Sequence, residues 1–520
     1  MHILFNMQSP SLMRLFDSAV RELAERGHRV TLVHHHRTDG RLASELAPVA
    51  DRVPTVRARL KRHDRWAPIA TLLRETRDYA RYLDRRLEAG YLRERIDHLP
   101  RPLRVLRAVE GLGPRASRGL LGVGLALERA IPSSGEVEEL IAAHRPDVVM
   151  LTPLVTRPDQ TDVVKSARAL GIPSVLAVAS WDHLTTKGLI RAHPDRVLVW
   201  NETQAAEARE LHLVPSERIR VTGAHPFDRW FGRAPSVPRD EFCARLGLDP
   251  ERELVLWAGS AHNIVRAAEE HAFVSRWIAA LRASPDPRVA GLGVLIRPHP
   301  TVNAAGWREL GPPAFDNVAL WPSGQRSSTA SATRSDLFDS LYHSAAVVAI
   351  NTTVMIEAAI VGRPVLTVQP EDFAETQAAT LHFRYLLPDH GGFLISAEGL
   401  EEHVAQLGDA LHAPEHTAAM RERFLRSFVR PHGEEVAASA VMADAIEATK
   451  PAPAPGPWVV LRSLALRAAL WLPATALWLS SPETRSAAGK VMRRHTRRGR
   501  RAMRTGRRVA GRAVGARSAR

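Results

Sequence analysis

The sequence predicts an α/β protein of two lobes, each a parallel sheet flanked by helices. Three observations predict it. Short apolar runs alternate with amphipathic helical stretches, as at 293–296, 345–350 and 364–368, and uninterrupted apolar strands belong to sheets covered on both faces. The alternation occurs twice, on either side of a Gly- and Pro-containing crossover at 223–228. At 520 residues the chain exceeds one ordinary core, so two or more domains are expected.

Residues 1–232 form the expected first domain. A strand at 1–5, a polar turn, a helix at 12–26 stopped by Gly27 and a strand at 28–33 make a βαβ opening. No G-x-G-x-x-G follows the first strand, which disfavours a nicotinamide enzyme. The start reads as a strand and not as a signal peptide, since no basic n-region and no long apolar run occur there. His34-His35-His36 looks metal-like, but neighbours on a strand alternate faces, so it reads as a strand end. Residues 55–131 read as a helical insertion rich in arginine, including Arg57, Arg62, Arg74, Arg77 and Arg81, with Trp66, Tyr79, Tyr82 and Tyr91 interleaved. This is either a solvated helical face or a surface for an anionic acceptor or lipid headgroups. Strands then follow at 147–151, 174–179, 196–200 and 219–222.

The second domain spans 233–448. It opens with a strand at 254–257 and a turn at Gly259-Ser260, then a helix at 264–283. The strand at 293–296 stops at Arg297-Pro298-His299, and a Ser/Thr-rich loop covers 323–335. A helix at 336–343 and a strand at 345–350 lead to the turn Asn351-Thr352-Thr353, and the next helix ends at Gly362. Helices at 400–411 and 418–448 close the domain, and 449–457 is a proline-rich linker.

The net charge is +15, and the 13 arginines and one lysine of 485–520 account for 14 of it, with no acidic residue among them. The rest is nearly neutral. Ahead of this tail, 458–479 is apolar but holds Arg462, Arg467 and Pro473, and its longest uncharged run is about 15 residues, short of the ~20 that span a bilayer. With Trp458, Trp471 and Trp478 it reads as an interfacial helix on an anionic leaflet, or else as a packed helix with a disordered basic tail. Nucleic acid is the weaker reading of the tail, because the neighbouring tryptophan segment has no use there. Cys243 is the only cysteine, which excludes an internal disulfide and fits a reducing cytoplasm.

In parallel sheets ligands bind beyond the carboxyl ends of the strands. Two polar turns lie there in the second domain. Arg297 and His299 suit phosphate oxygens. Asn351, Thr352 and Thr353 open a helix, offering hydroxyls, free N–H groups and the positive end of the dipole. With Thr353 as N-cap, Glu357 falls one residue past the capping-box position, so its carboxylate is free to accept two ribose hydroxyls; the plainer role is to complement the dipole. In the first domain the turn 180–188 follows a strand end. Asp182 or His183 is expected there as a base, with turn stabilisation as the plainer role for Asp182. Lys187 reads as a surface lysine and Trp181 as packing. Ser260 and His225 are further cleft candidates. No Asp-x-Asp pair lies near this set, so neither a metal nor a cofactor is expected.

The two lobes with functional turns at strand ends resemble the GT-B glycosyltransferase architecture, two Rossmann-like domains facing a cleft. The runs 23–33 and 221–228 are similar to segments of such enzymes, and Arg297-Pro298-His299-Pro300 with the block 336–368 resembles the nucleotide-sugar site of capsule-polysaccharide transferases, CDP-glycerol glycerophosphotransferases and UDP-GlcNAc 2-epimerase-like enzymes. The resemblance covers 1–448 less the insertion. It implies that His299, Thr352 and Thr353 hold donor phosphate and that Glu357 holds ribose. Asn351 departs from the aspartate usual in the glycerophosphotransferases. The implied partners are a nucleotide-sugar donor, a saccharide or lipid-linked acceptor, and an anionic membrane surface through 458–520 at the cytoplasmic face. A polyol-phosphate transferase, a UDP-sugar 2-epimerase and a non-enzymatic membrane or nucleic-acid scaffold are the alternatives.

Overall fold

The computed structural model describes residues 1–7, 10–34, 49–58, 61–87, 92, 94–152, 159–300, 302–322 and 331–481. The first sheet contains β1 (His2–Met7), β2 (Arg29–His34), β3 (Thr55–Arg57), β4 (Val148–Thr152), β5 (Ser174–Ala177), β6 (Arg196–Val199) and β7 (Ile219–Val221), in the order β3-β2-β1-β4-β5-β6-β7. The second contains β8 (Leu254–Ala258), β9 (Gly293–Arg297), β10 (Val318–Leu320), β11 (Ala346–Ala349), β12 (Val365–Val368) and β13 (Ile395–Ala397), in the order β10-β9-β8-β11-β12-β13. Every pairing is parallel. Strand order reverses between β1 and β4 in one sheet and between β8 and β11 in the other, and such reversals open crevices at the carboxyl ends.

Alternating side chains divide each sheet into two cores. Leu254 and Leu256 face one side with Met355 and Ile356, while Val255 and Trp257 face the other with Trp277 and Ile278. In the first sheet Ile3 and Phe5 pack with Val20 and Leu23 of the helix Asp17–Glu25, and Leu4 packs with Val137 and Ile141 on the opposite face. Covering both faces explains why these strands are apolar throughout. The helix Asp17–Glu25 stops where Gly27 takes φ +91°.

The chain crosses between lobes twice, and the crossings touch. Ala224 N donates to Val429 O at 2.8 Å, and Asp228 accepts from Ala438 N and Ser439 N at 3.0 and 2.7 Å. Gly223 has φ +86°, and a Cβ there would lie 2.8 Å from the Ala438 Cβ, so only glycine fits the crossing. The helix Ala438–Glu447 then packs on the first sheet through Met442, Ala443 and Ile446, and Arg26 pairs with Asp444 at 2.6 Å. The expected second domain, 233–448, thus ends by packing on the first lobe. Two doubly wound parallel sheets joined in this way are the GT-B architecture.

The arginine-rich segment divides: Arg57, Arg65, Arg85 and Arg101 are solvated, while Arg62, Arg74, Arg77 and Arg81 are buried. Its helices Ala67–Arg81 and Pro114–Ala130 bury Arg74, Arg77 and Arg81. Arg74 forks onto Glu128 at 3.0 and 2.9 Å and onto Asp162 at 2.8 and 2.8 Å, and Arg62 adds 2.9 Å to Asp162. Arg81 donates to the Leu184 carbonyl and Arg77 to the Arg191 carbonyl. These arginines fasten the segment to the first lobe, so the acceptor-surface reading fails for them.

The apolar segment forms one helix, Pro457–Ser480, running through Pro473. At 24 residues it is long and apolar enough, by length and composition, to cross a membrane, where the sequence reading judged the run too short. Here it lies on the arginine-rich helices: Ala474 is buried with Trp66, Ile69 and Ala70, and Arg467 Nε donates to Ala130 O at 2.8 Å. Trp458, Leu461 and Leu472 are exposed. The polybasic tail, His35, His36, Tyr91 and most of the Ser/Thr-rich loop lie outside the described residues. The helix expected from 336 begins at Ser331 (Ser331–Tyr342).

Candidate active site between the two sheets

The crevice between β8 and β11 is built on tight contacts. Gly259 N donates to Arg297 O at 2.8 Å. A Cβ on Gly259 would lie 2.9 Å from Pro298 Cα and 3.0 Å from His299 N, so glycine lets the Arg297–His299 turn rest on the end of β8. Ser260 is fully buried beneath. Its N–H donates to Glu270 Oε1 at 2.8 Å, its hydroxyl accepts from Asn351 N at 3.3 Å, and its carbonyl accepts from Asn303 Nδ2 at 2.9 Å. Asn351 in turn donates from Nδ2 to Thr376 O at 2.5 Å. Ser260 and Asn351 therefore join strand ends and are occupied in doing so.

Arg297 is buried, and its Nη1 donates to Ser340 Oγ at 2.9 Å and to Asp336 O at 3.2 Å, holding the helix Ser331–Tyr342. Burial pulls its pKa down to about 10. His299 and Glu357 are half-buried. Burial drives His299 down to about 4, helped by Arg14, a residue following β1 in the first lobe. Burial pushes Glu357 up to about 7, opposed by Arg229 and Arg14. Arg229 is fixed by Asp17 Oδ2 at 2.6 Å and by the Arg14 carbonyl at 2.8 Å. The first-lobe Arg14 thus acts on both His299 and Glu357 of the second lobe, and Arg229 acts on Glu357. Sequence reading missed Arg14 and Arg229; their position just past β1 and β7 was the one available signal.

Thr353 is the N-cap residue of the helix Val354–Ile360 but makes no side-chain cap; its hydroxyl accepts from Trp181 Nε1 at 3.3 Å, across the lobes. Thr352 is half-buried beside it, 3.5 Å from Val354 N. Trp181 packs edge-on to His382, with centroids 4.8 Å apart.

In the turn after β5, Asp182 accepts from Ser180 Oγ at 2.6 Å and from Thr186 Oγ1 at 2.8 Å, and Lys187 Nζ lies 3.8 Å away. Burial works to raise this carboxyl, but Lys187, His183, His382 and the Ser180 hydroxyl outweigh it and hold it below the usual range. Lys187 is therefore a partner of Asp182 and not a bystander. His183 is buried, its pKa falls to about 4 through burial, and its Nδ1 has no hydrogen-bond partner. His382, unremarked in the sequence, meets Thr185 Oγ1 at 3.3 Å. His225 is buried in the crossover, its ring 4.7 Å from Phe16, its Nε2 unpartnered and its pKa lowered by burial to about 3.

At a strand-order reversal the first-lobe Arg14 acts electrostatically on both the His299 imidazole and the Glu357 carboxylate, and Arg229 acts on the carboxylate. Such a corner can take an anion together with a vicinal diol.

No protein-family model and no curated protein matches the chain. Solved structures align with it over most of its length. The UDP-GlcNAc 2-epimerase of Methanocaldococcus jannaschii is 10% identical, with a TM-score of 0.49, covering 86% of this chain and 99% of that one. The UDP-GlcNAc 2-epimerase of Neisseria meningitidis, bound to UDP-GlcNAc, is 12% identical, with a TM-score of 0.48, covering 86% of this chain and 100% of that one. An Anabaena protein in complex with UDP and glucose is 13% identical, with a TM-score of 0.45, covering 91% of this chain and 99% of that one.

Proposed function

We propose that the protein transfers a sugar from a nucleotide-sugar donor to a hydroxyl of a saccharide or lipid-linked acceptor, without a metal and at the cytoplasmic membrane face. What supports this is the pair of strand-end turns around the β8/β11 reversal, where Arg14 acts electrostatically on both His299 and Glu357 and Arg229 acts on Glu357. Donor phosphate would lie against the arginines, the imidazole and the Thr352–Thr353 turn, and ribose hydroxyls would donate to Glu357. Arg297, Asn351 and Ser260 act as positioning residues, since their polar atoms already hold strand ends. Cleavage of the sugar–phosphate bond leaves charge on the phosphate, and preorganised donors stabilise it.

The acceptor oxygen forms the new glycosidic bond while its proton passes to a base. His183 fits that role: it is neutral at physiological pH and its Nδ1 is unengaged. Asp182, already bound by two hydroxyl donors and paired with the Lys187 ammonium, orients the turn and Lys187.

The test is isothermal titration with UDP, GDP, CDP and CMP, followed by donor-hydrolysis and transfer assays. One nucleotide should bind, and His299→Ala should weaken it about 10- to 100-fold. His183→Ala should lower kcat by about 10²–10⁴ with little change in donor affinity. Binding that is absent for every nucleotide would favour a scaffold. Conversion of the donor with no acceptor present would make the protein an epimerase, and release of a polyol phosphate would make it a polyol-phosphate transferase.

A further inference from the structure

A second cavity, of about 510 Å³, lies between the helix Pro457–Ser480 and the first lobe. The helix contributes Val460, Leu464 and Arg467 to its lining, and the first lobe contributes Ile131, Arg129, Arg168 and Arg218. The His193 carbonyl accepts from both Arg168 Nη2, at 2.5 Å, and Arg218 Nη1, at 3.2 Å, so it holds two guanidinium groups together. Arg129 makes no hydrogen bond or ion pair among the described residues. Burial, then Arg218 and Arg462, lower its pKa, and burial, Arg218 and Arg129 lower that of Arg168 against Asp195.

The nearby carboxylates are already engaged. Glu128 is bound by Arg74 and Lys165. Asp195 accepts from Ser174 N, Ser174 Oγ and Ala452 N, each at 2.8 Å. Among the described residues the cationic side is therefore only partly compensated, Asp195 acting on Arg168, and an anion would relieve the repulsion among its arginines.

The place matters as much as the charge. Arg168 ends the helix that feeds β5, His193 precedes β6 and Arg218 precedes β7. The cavity sits at the amino ends of these strands, whereas the groove lies at carboxyl ends. A ligand here is neither donor nor acceptor of the groove.

We infer that this cavity binds one anionic membrane phospholipid, its phosphate on Arg129, Arg168 and Arg218 and an acyl chain along Val460 and Leu464. Charge complementarity selects the headgroup and the apolar helix wall selects the chain. Trp458 and Leu461 of the same helix, off the face that lines the cavity, are exposed and offer apolar surface to the bilayer from which such a lipid would come. The inference rests on the membrane setting proposed above but not on the chemistry of the groove.

The test uses the full chain and dihexanoyl phosphatidic acid below its micelle concentration, titrated calorimetrically beside dihexanoyl phosphatidylcholine and inorganic phosphate. The phosphatidic acid should bind at one saturable site, at least about tenfold tighter than either control. The double variant Arg129→Gln/Arg218→Gln should lose about tenfold or more, and Leu464→Asn should lose the preference over inorganic phosphate. All three positions are on or near the surface; an unchanged thermal midpoint and an unchanged nucleotide titration would show that fold and groove are intact. Undiminished binding in the double variant would assign the lipid to the tail and overturn the inference. Equal affinity for inorganic phosphate would overturn it too, by removing the acyl chain. A monomeric lipid needs no bilayer, so a failure of membrane attachment is seen separately.

Discussion

Arg74 and Arg129 lie on two helices that pack together, carry the same charge, and stand at opposite ends of its compensation. Arg74 is buried against two carboxylates, Glu128 and Asp162, each gripped by two of its nitrogens. Arg129 pairs with no carboxylate among the described residues, and the charges that act on it are those of Arg218 and Arg462. The groove arginines fall between: Arg229 has Asp17, while Arg14 and Arg229 together act on Glu357. The difference teaches that arginine density in a sequence has no fixed meaning. A guanidinium whose partners are inside the chain is structural, and one left without them is open to solvent or to the external anion proposed above.

The largest expected effect tests the paired end. Arg74→Ala removes the bidentate partner of two buried carboxylates, leaving Lys165 on Glu128 and Arg62 on Asp162, and should cost ~3 kcal/mol in chemical denaturation. A loss below about 1 kcal/mol would break the comparison. Next comes the groove. Glu357→Gln should weaken nucleotide binding about 10- to 100-fold, roughly 1.4–2.7 kcal/mol. Wild-type affinity should also fall as pH drops through about 7, because only the ionised carboxylate accepts two hydroxyls; the Gln variant should lack that step.

Global stability should follow the buried imidazoles. His183, His382 and His403 are lowered to about 4 and His193 and His225 to about 3, all by burial. The unfolded chain, with ordinary values near 6.5, binds more protons than the fold between those limits. Their contribution is therefore complete above about pH 6.5 and is lost as pH falls toward 4 and 3, which thermal melts across that range would record. The smallest effect is at the unpaired end. Arg129→Gln should change stability by no more than ~0.5 kcal/mol, or raise it slightly by relieving repulsion. A large loss would mean that the residue has an internal partner after all.

Much of this was legible in the chain itself. Apolar runs such as 254–257 and 293–296 marked buried parallel strands, and Gly27 and Gly362 marked helix ends, because these signals act within a few residues. The turns at Arg297–His299 and Asn351–Thr353 were found as strand ends for the same reason. The roles inside those turns were not legible. Ser260 and Asn351 became buttresses, Arg297 became an anchor for a helix some forty residues on, and Lys187 became a partner of Asp182, all through contacts that no local pattern encodes.

By itself the sequence determined the two doubly wound sheets, the position of the crossover and the segregation of charge into the tail, since periodicity, glycine placement and composition are local properties. Only the tertiary structure decided which charges meet. It brought Arg14 and Arg229 to the second lobe's Glu357, buried Arg74 on Asp162, and left Arg129 without an anion, because pairing depends on through-space distance and burial, which chain order does not record.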